Sequence, residues 1–100
     1  MFTIKENVKN EIEINKSKFI TYILKLNKEK DVNIILNKLK KEYKDANHYC
    51  YAYIFENIKR FNDDKEPSHT AGMPILNVLE NKKLNKVLAV VIRYFGGIKL

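Results

Sequence analysis

Asn62-Asp63-Asp64-Lys65-Glu66-Pro67-Ser68-His69-Thr70-Ala71-Gly72-Met73-Pro74 gathers the densest set of chemically capable side chains in this sequence. Asp63, Asp64 and Glu66 put three carboxylates within four residues, the donor type that a hard cation such as Mg²⁺ takes while keeping several waters. The same carboxylates can instead cap the loop's own amides or pair with Arg93. Ser68, Thr70 and the Gly72 backbone stand just ahead of an apolar stretch, where free amides and a positive helix dipole attract an anion such as phosphate. Ser68 or Thr70 would serve equally as an ordinary N-cap. His69 is the better placed of the two histidines for proton transfer.

A second cluster closes the chain, Arg93-Tyr94-Phe95-Gly96-Gly97-Ile98-Lys99-Leu100. Gly96 and Gly97 permit positive φ or a close backbone approach directly after a buried strand, and Lys99 would meet a phosphate arriving at that edge. Between the clusters runs Asn47 to Phe55, whose alternation separates His48, Cys50, Ala52 and Ile54 from Tyr49, Tyr51, Tyr53 and Phe55. Its aromatic face is either a stacking platform for single-stranded RNA or a layer packed against another element. Cys50 with His48 two residues away lacks a third group to orient the base, so a nucleophilic enzyme is poorly supported.

These residues need elements to hold them. Short extended segments are expected near Thr3 to Lys5 and Glu11 to Ile14, and a strand over Phe19 to Leu24 from its β-branched and aromatic content. Asn27 offers an N-cap, and Val32, Ile35, Leu36, Leu39 and Tyr43 then recur at helical spacing with lysines off the stripe. Asn47 to Phe55 is a strand, and Asn57 to Gly72 a long loop of the kind that is usually functional. Pro74 opens a second helix ending near Asn81. Val87 to Ile92 is an unbroken apolar run, as expected of a strand buried on both faces at the centre of a sheet. The order β-β-β-α-β-α-β gives an α+β class: two layers, an antiparallel or mixed sheet with helices on one side.

A chain of 100 residues with 45% hydrophobic and 31% charged content bounds one modest core, hence a single domain over residues 1–100. No apolar run approaches the roughly 20 residues that span a bilayer, and the start lacks a signal peptide; a cytoplasmic protein without a membrane partner is expected. One cysteine, Cys50, excludes an intramolecular disulfide and a cysteine-based zinc site. Of the 19 basic residues only Arg60 and Arg93 are arginines. The net charge of +7 therefore reflects lysine-rich usage as much as phosphate recognition, which favours the arginine fork.

Lys16-Ser17-Lys18-Phe19-Ile20, Ala46 to Tyr53, Asp63-Asp64 with Glu66-Pro67-Ser68, Thr70 to Pro74, and Arg93 to Leu100 together resemble the IMPACT N-terminal domain family, which includes the YigZ-like proteins. The resemblance implies a fold like the second domain of small-subunit ribosomal protein five. It also implies a C-terminally incomplete domain, since family members continue past the equivalent of Leu100 with a second glycine-rich turn and another helix. Three residues depart from the family pattern: Asn62 stands where a serine is usual, Lys65 where a glycine is usual, and His69 where another glycine precedes the threonine. The implied role is translation-associated regulation or binding, with RNA, the ribosome or a translation-regulatory protein as partner, and with no established reaction and no cofactor.

The binding surface expected from these readings comprises Asp63, Asp64, Glu66, Ser68, Thr70, Gly72, Arg93, Gly96, Gly97 and Lys99, with no catalytic residue and no resident metal. The alternative is a metal-assisted enzyme on a phosphorylated substrate, with Asp63, Asp64 and Glu66 as ligands and His69 as acid or base.

Overall fold

The structure, a computed structural model, describes residues 4–64 and 71–95. β1 (Val8–Ile14) and β2 (Ser17–Lys25) form a hairpin. Its two-residue turn has Asn15 and Lys16 both at positive φ, 51° and 69°, the left-handed pair that matches the right-handed twist of the flanking strands. Glu11 to Ile14 is thus the end of a longer strand. Ile4 and Lys5 lie outside any strand, and Thr3 lies outside the described residues.

α1 (Asp31–Glu42) starts later than Asn27 suggested. A turn closed by Asp31 N–H to the Lys28 carbonyl and Val32 N–H to the Glu29 carbonyl leads into it, and its cap position, Lys30, makes no side-chain cap. The apolar stripe holds: Val32, Leu36 and Leu39 are buried, with Ile35 and Tyr43 packed beside them. Lys40 and Lys41 sit in the last turn, where the dipole favours cations.

β3 (His48–Phe55) turns tightly into β4 (Ile58–Asn62), a strand within the stretch expected to be loop. Glu56 takes a φ of 57° at that turn, and the Asn85 side chain clamps it by accepting from the Glu56 amide and donating to the Glu56 carbonyl. α2 (Gly72–Asn81) and β5 (Val87–Tyr94) complete the fold. The described order is therefore β-β-α-β-β-α-β, with the count of strands and helices as expected and one strand relocated.

All pairings are antiparallel, in the order β1-β2-β5-β3-β4. The apolar run forms the middle strand: Val87, Leu88, Val90 and Ile92 have no measurable exposure. Its alternate residues serve two cores. Leu88, Val90 and Ile92 join Ile20, Tyr53 and the stripe of α1, whereas Val87 and Ala89 join Ala52, Ile54 and Leu76 and Leu79 of α2.

The helices consequently cover opposite faces, not one side as expected from the sequence. β2 runs parallel to β3, and β4 to β5, so each helix is a crossover between parallel strands. The two crossovers step across the sheet in equivalent senses, so helices on opposite faces require opposite hands. One departs from the right-handed rule that a sequence-level assignment assumes.

Among the described residues, no helix is long and apolar enough to cross a membrane.

Candidate functional site

The starts of β2 and β3 and the ends of β4 and β5 meet at one end of the sheet, with the N-terminus of α2 beside them. The described parts of both sequence clusters, Asn62 to Asp64 with Ala71 and Gly72, and Arg93 to Phe95, converge there.

Asp63 reaches across the loop to the start of α2. Its Oδ1 accepts from the Ala71 amide at 3.2 Å and the Gly72 amide at 2.6 Å. The residue at the cap position itself, Ala71, offers no side-chain cap; a carboxylate eight and nine residues upstream accepts from these two amides, and Ser68 and Thr70, the caps expected from the sequence, lie outside the described residues. A carboxylate is also the charge that this dipole end favours. Gly72 permits the approach: a Cβ there would lie 2.8 Å from the Asn62 carbonyl oxygen and 2.9 Å from the Asn62 nitrogen, closer than side chains tolerate.

Asp64 ties the same loop to β3. It holds a φ of 48°, a conformation that aspartate tolerates better than most residues. Its Oδ2 accepts from the Tyr49 amide at 2.6 Å, and its own amide donates to Asn62 Oδ1 at 2.7 Å. The Asp64 carbonyl lies 2.7 Å from His48 Nδ1; a carbonyl only accepts, so Nδ1 carries the proton. The Cys50 thiol is buried and donates to the Asp63 carbonyl at 3.3 Å. His48 and Cys50, on one face of β3 as the alternation requires, therefore brace the loop.

Of the sequence-derived surface, Asp63, Asp64, Gly72 and Arg93 are brought together here, while Glu66, Ser68, Thr70, Gly96, Gly97 and Lys99 lie outside the described residues. So do Lys65 and His69. Among the described residues no group of three or more His, Cys, Asp or Glu side chains is placed to hold a metal ion.

Arg93 lies between two rings, its guanidinium carbon 5.3 Å from the Phe19 centroid and 4.5 Å from that of Phe95. Phe19 is its cross-strand partner in β2. His48 meets the Phe95 ring edge-on at 5.3 Å, and Asn47 Oδ1 accepts from the Phe95 amide. Around the corner, on the α1 face, Lys18 sits over Tyr94 at 5.4 Å and Lys40 over Tyr49 at 5.7 Å. Burial raises the pKa of both phenols, so they stay protonated; the Tyr49 hydroxyl donates to the Tyr43 carbonyl. Cations resting on ring faces offer an anionic, aromatic-bearing partner both charge and stacking.

Sequence reasoning did not assign Asn47 and Phe19 to this end. Alternation along β2 and β3 constrains their faces, but only the pairing register makes them neighbours.

The sequence profile of the Impact N-terminal domain family matches residues 15–100. The chain belongs to that family. The IMPACT family member YvyE of Bacillus subtilis is 45% identical over 102 residues, an alignment covering 99% of this chain and 47% of the relative. The chain thus spans about half the length of that relative. A crystal structure of a hypothetical protein superposes with a TM-score of 0.89 at 33% identity, over 98% of this chain and 50% of the other. The two-domain translational regulator Yih1 shares the fold, with a TM-score of 0.68 at 21% identity over 97% of this chain and 40% of its own.

Proposed function

We propose that this IMPACT-family chain is a binding module of translation regulation that contacts RNA on the ribosome through the sheet end carrying Lys18, Arg93, Tyr94 and Phe95. The observation that supports this reading is the set of cations seated on aromatic rings at the end where both family motifs meet. Likeness to a translational regulator gives the biological setting. Gly96, Gly97 and Lys99, which follow Phe95 in the sequence and lie outside the described residues, belong to the same proposed contact. Asp63 and Asp64 are builders of the surface, because both carboxylates already hold backbone amides. That use argues against the alternative of a metal-assisted enzyme, whose ligands they would have to be.

Binding to ribosomal RNA is measured with the intact gene product by co-sedimentation with ribosomes and by filter binding, across a salt series. Neutralising a few phosphates makes affinity fall steeply, on the order of tenfold or more between about 50 and 200 mM salt. Lys18→Glu and Lys99→Glu each weaken binding further. Salt-independent binding, or none, overturns the RNA contact and leaves a regulatory protein as the partner.

A further inference from the structure

β1 is an outer strand of the sheet, and all seven of its residues are exposed. Such a strand presents unpaired backbone groups to any other strand. Ile14 and Ser17 close the two-residue hairpin with β2. The closing pair of such a hairpin is hydrogen-bonded, and the ladder alternates from there. The backbone groups of Lys9, Glu11 and Glu13 are therefore directed away from the sheet.

The side chains on this edge are sorted by face. Lys9, Glu11 and Glu13 share the face of Tyr22 and Ile20, whereas Val8, Asn10, Ile12 and Ile14 share that of Phe19 and Ile23. Val8, Ile12 and Ile14 are 48%, 46% and 52% exposed. Outer strands are commonly protected by charges, often lysines, or by proline. On this one the charges are a lysine and two glutamates, in an order that complements itself.

We infer that β1 is a self-association edge: two copies pair antiparallel through β1 about a two-fold axis at Asn10, joining their sheets into one. In that register Lys9 of each copy lies directly opposite Glu11 of the other, Val8 opposite Ile12, and the two Asn10 amides meet at the axis. Both charged pairs are attractive and both apolar pairs extend the rows begun by Ile23 and Phe19. Directly opposed residues on one face are the pairs that stabilise a sheet.

The competing registers are worse. Shifting the axis to Glu11 puts the two Glu11 carboxylates together, which offsets part of the attraction between Lys9 and Glu13 in that register. Shifting it to Ile12 opposes Glu11 to Glu13 twice. A parallel arrangement opposes Lys9 to Lys9 and Glu11 to Glu11. The two-fold at Asn10 is isologous and closes on itself, so it yields a dimer and no fibre. One strand pair buries less than the about 1,200 Å² of a stable interface, so the dimer is weak and concentration-dependent.

The test is sedimentation equilibrium of the intact gene product at rising concentration. Lys9→Glu sets a new carboxylate against Glu11 at both charged pairs, and Glu11→Lys sets a new ammonium against Lys9 at both. Each variant alone is expected to dimerise at least about tenfold more weakly, two reversed pairs at roughly 1 kcal/mol each. An equimolar mixture of the two variants restores attraction at both pairs and is expected to form a heterodimer at least as tight as the original homodimer. Both substitutions are on exposed positions, and circular dichroism checks that the fold is kept. A protein that stays monomeric at every concentration overturns the inference. So do single variants that dimerise undiminished, or a mixture that fails to recover.

Discussion

Asp63 illustrates how one side chain decides whether a helix terminus is a ligand site. The free amides at the start of α2 would attract an anion, but Ala71 and Gly72 already donate to the Asp63 carboxylate. The protein carries its own anion there. Asp63→Ala removes the acceptor of two partly buried amides and is expected to lower stability by about 1–2 kcal/mol. Asp63→Asn keeps an acceptor oxygen and should cost less. Urea midpoints of the two variants check both the loss and the order. That the loop's carboxylates could cap its own amides was legible in the sequence; that Asp63 takes the two at the start of α2 was not. Capping rules look one turn back, to Ser68 and Thr70, whereas Asp63 arrives from the end of β4 because β3 and β4 pair.

At the scale of elements, α1 sits on the aromatic face of β3, the arrangement weighed in the sequence against an open stacking platform. Tyr53 is 7% exposed and donates to Glu29, just ahead of α1. Burial first and this hydrogen bond second push its pKa from 10.0 up to about 12. Tyr22, partly buried beside α1 and hydrogen-bonded to the Tyr43 hydroxyl at 2.6 Å, is likewise pushed up to about 12. An unfolded tyrosine loses its proton near pH 10, whereas these keep theirs in the folded state. The unfolded chain then binds fewer protons, so stability falls as pH rises from about 10 to about 12 and does not respond to them below that window. Tyr53→Phe should make the decline shallower, as read from urea midpoints along an alkaline series. The stripe of α1 and the two faces of β3 were plain in the sequence because burial imposes its period directly. β4 was not, since its turn is Glu56-Asn57 without glycine and depends on the distant Asn85.

Across the whole molecule, β5 joins two cores that share one sheet. Leu88 is fully buried in its middle, and Leu88→Ala should cost about 2–5 kcal/mol through lost contacts and a cavity. Ile34, 64% exposed on α1, should change by less than about 0.5 kcal/mol when cut to alanine; the pair of urea midpoints tests the layer assignment. By itself the sequence determined the α+β class, the central place of Val87 to Ile92, the buried stripe of α1 and the family, because each is written in local spacing or in a motif. Only the tertiary structure decided that the helices lie on opposite faces, that Asn62 belongs to a strand, and that Asp63 caps α2. Those outcomes depend on crossover hand and on which strands pair, and both are set by contacts between residues far apart in the chain.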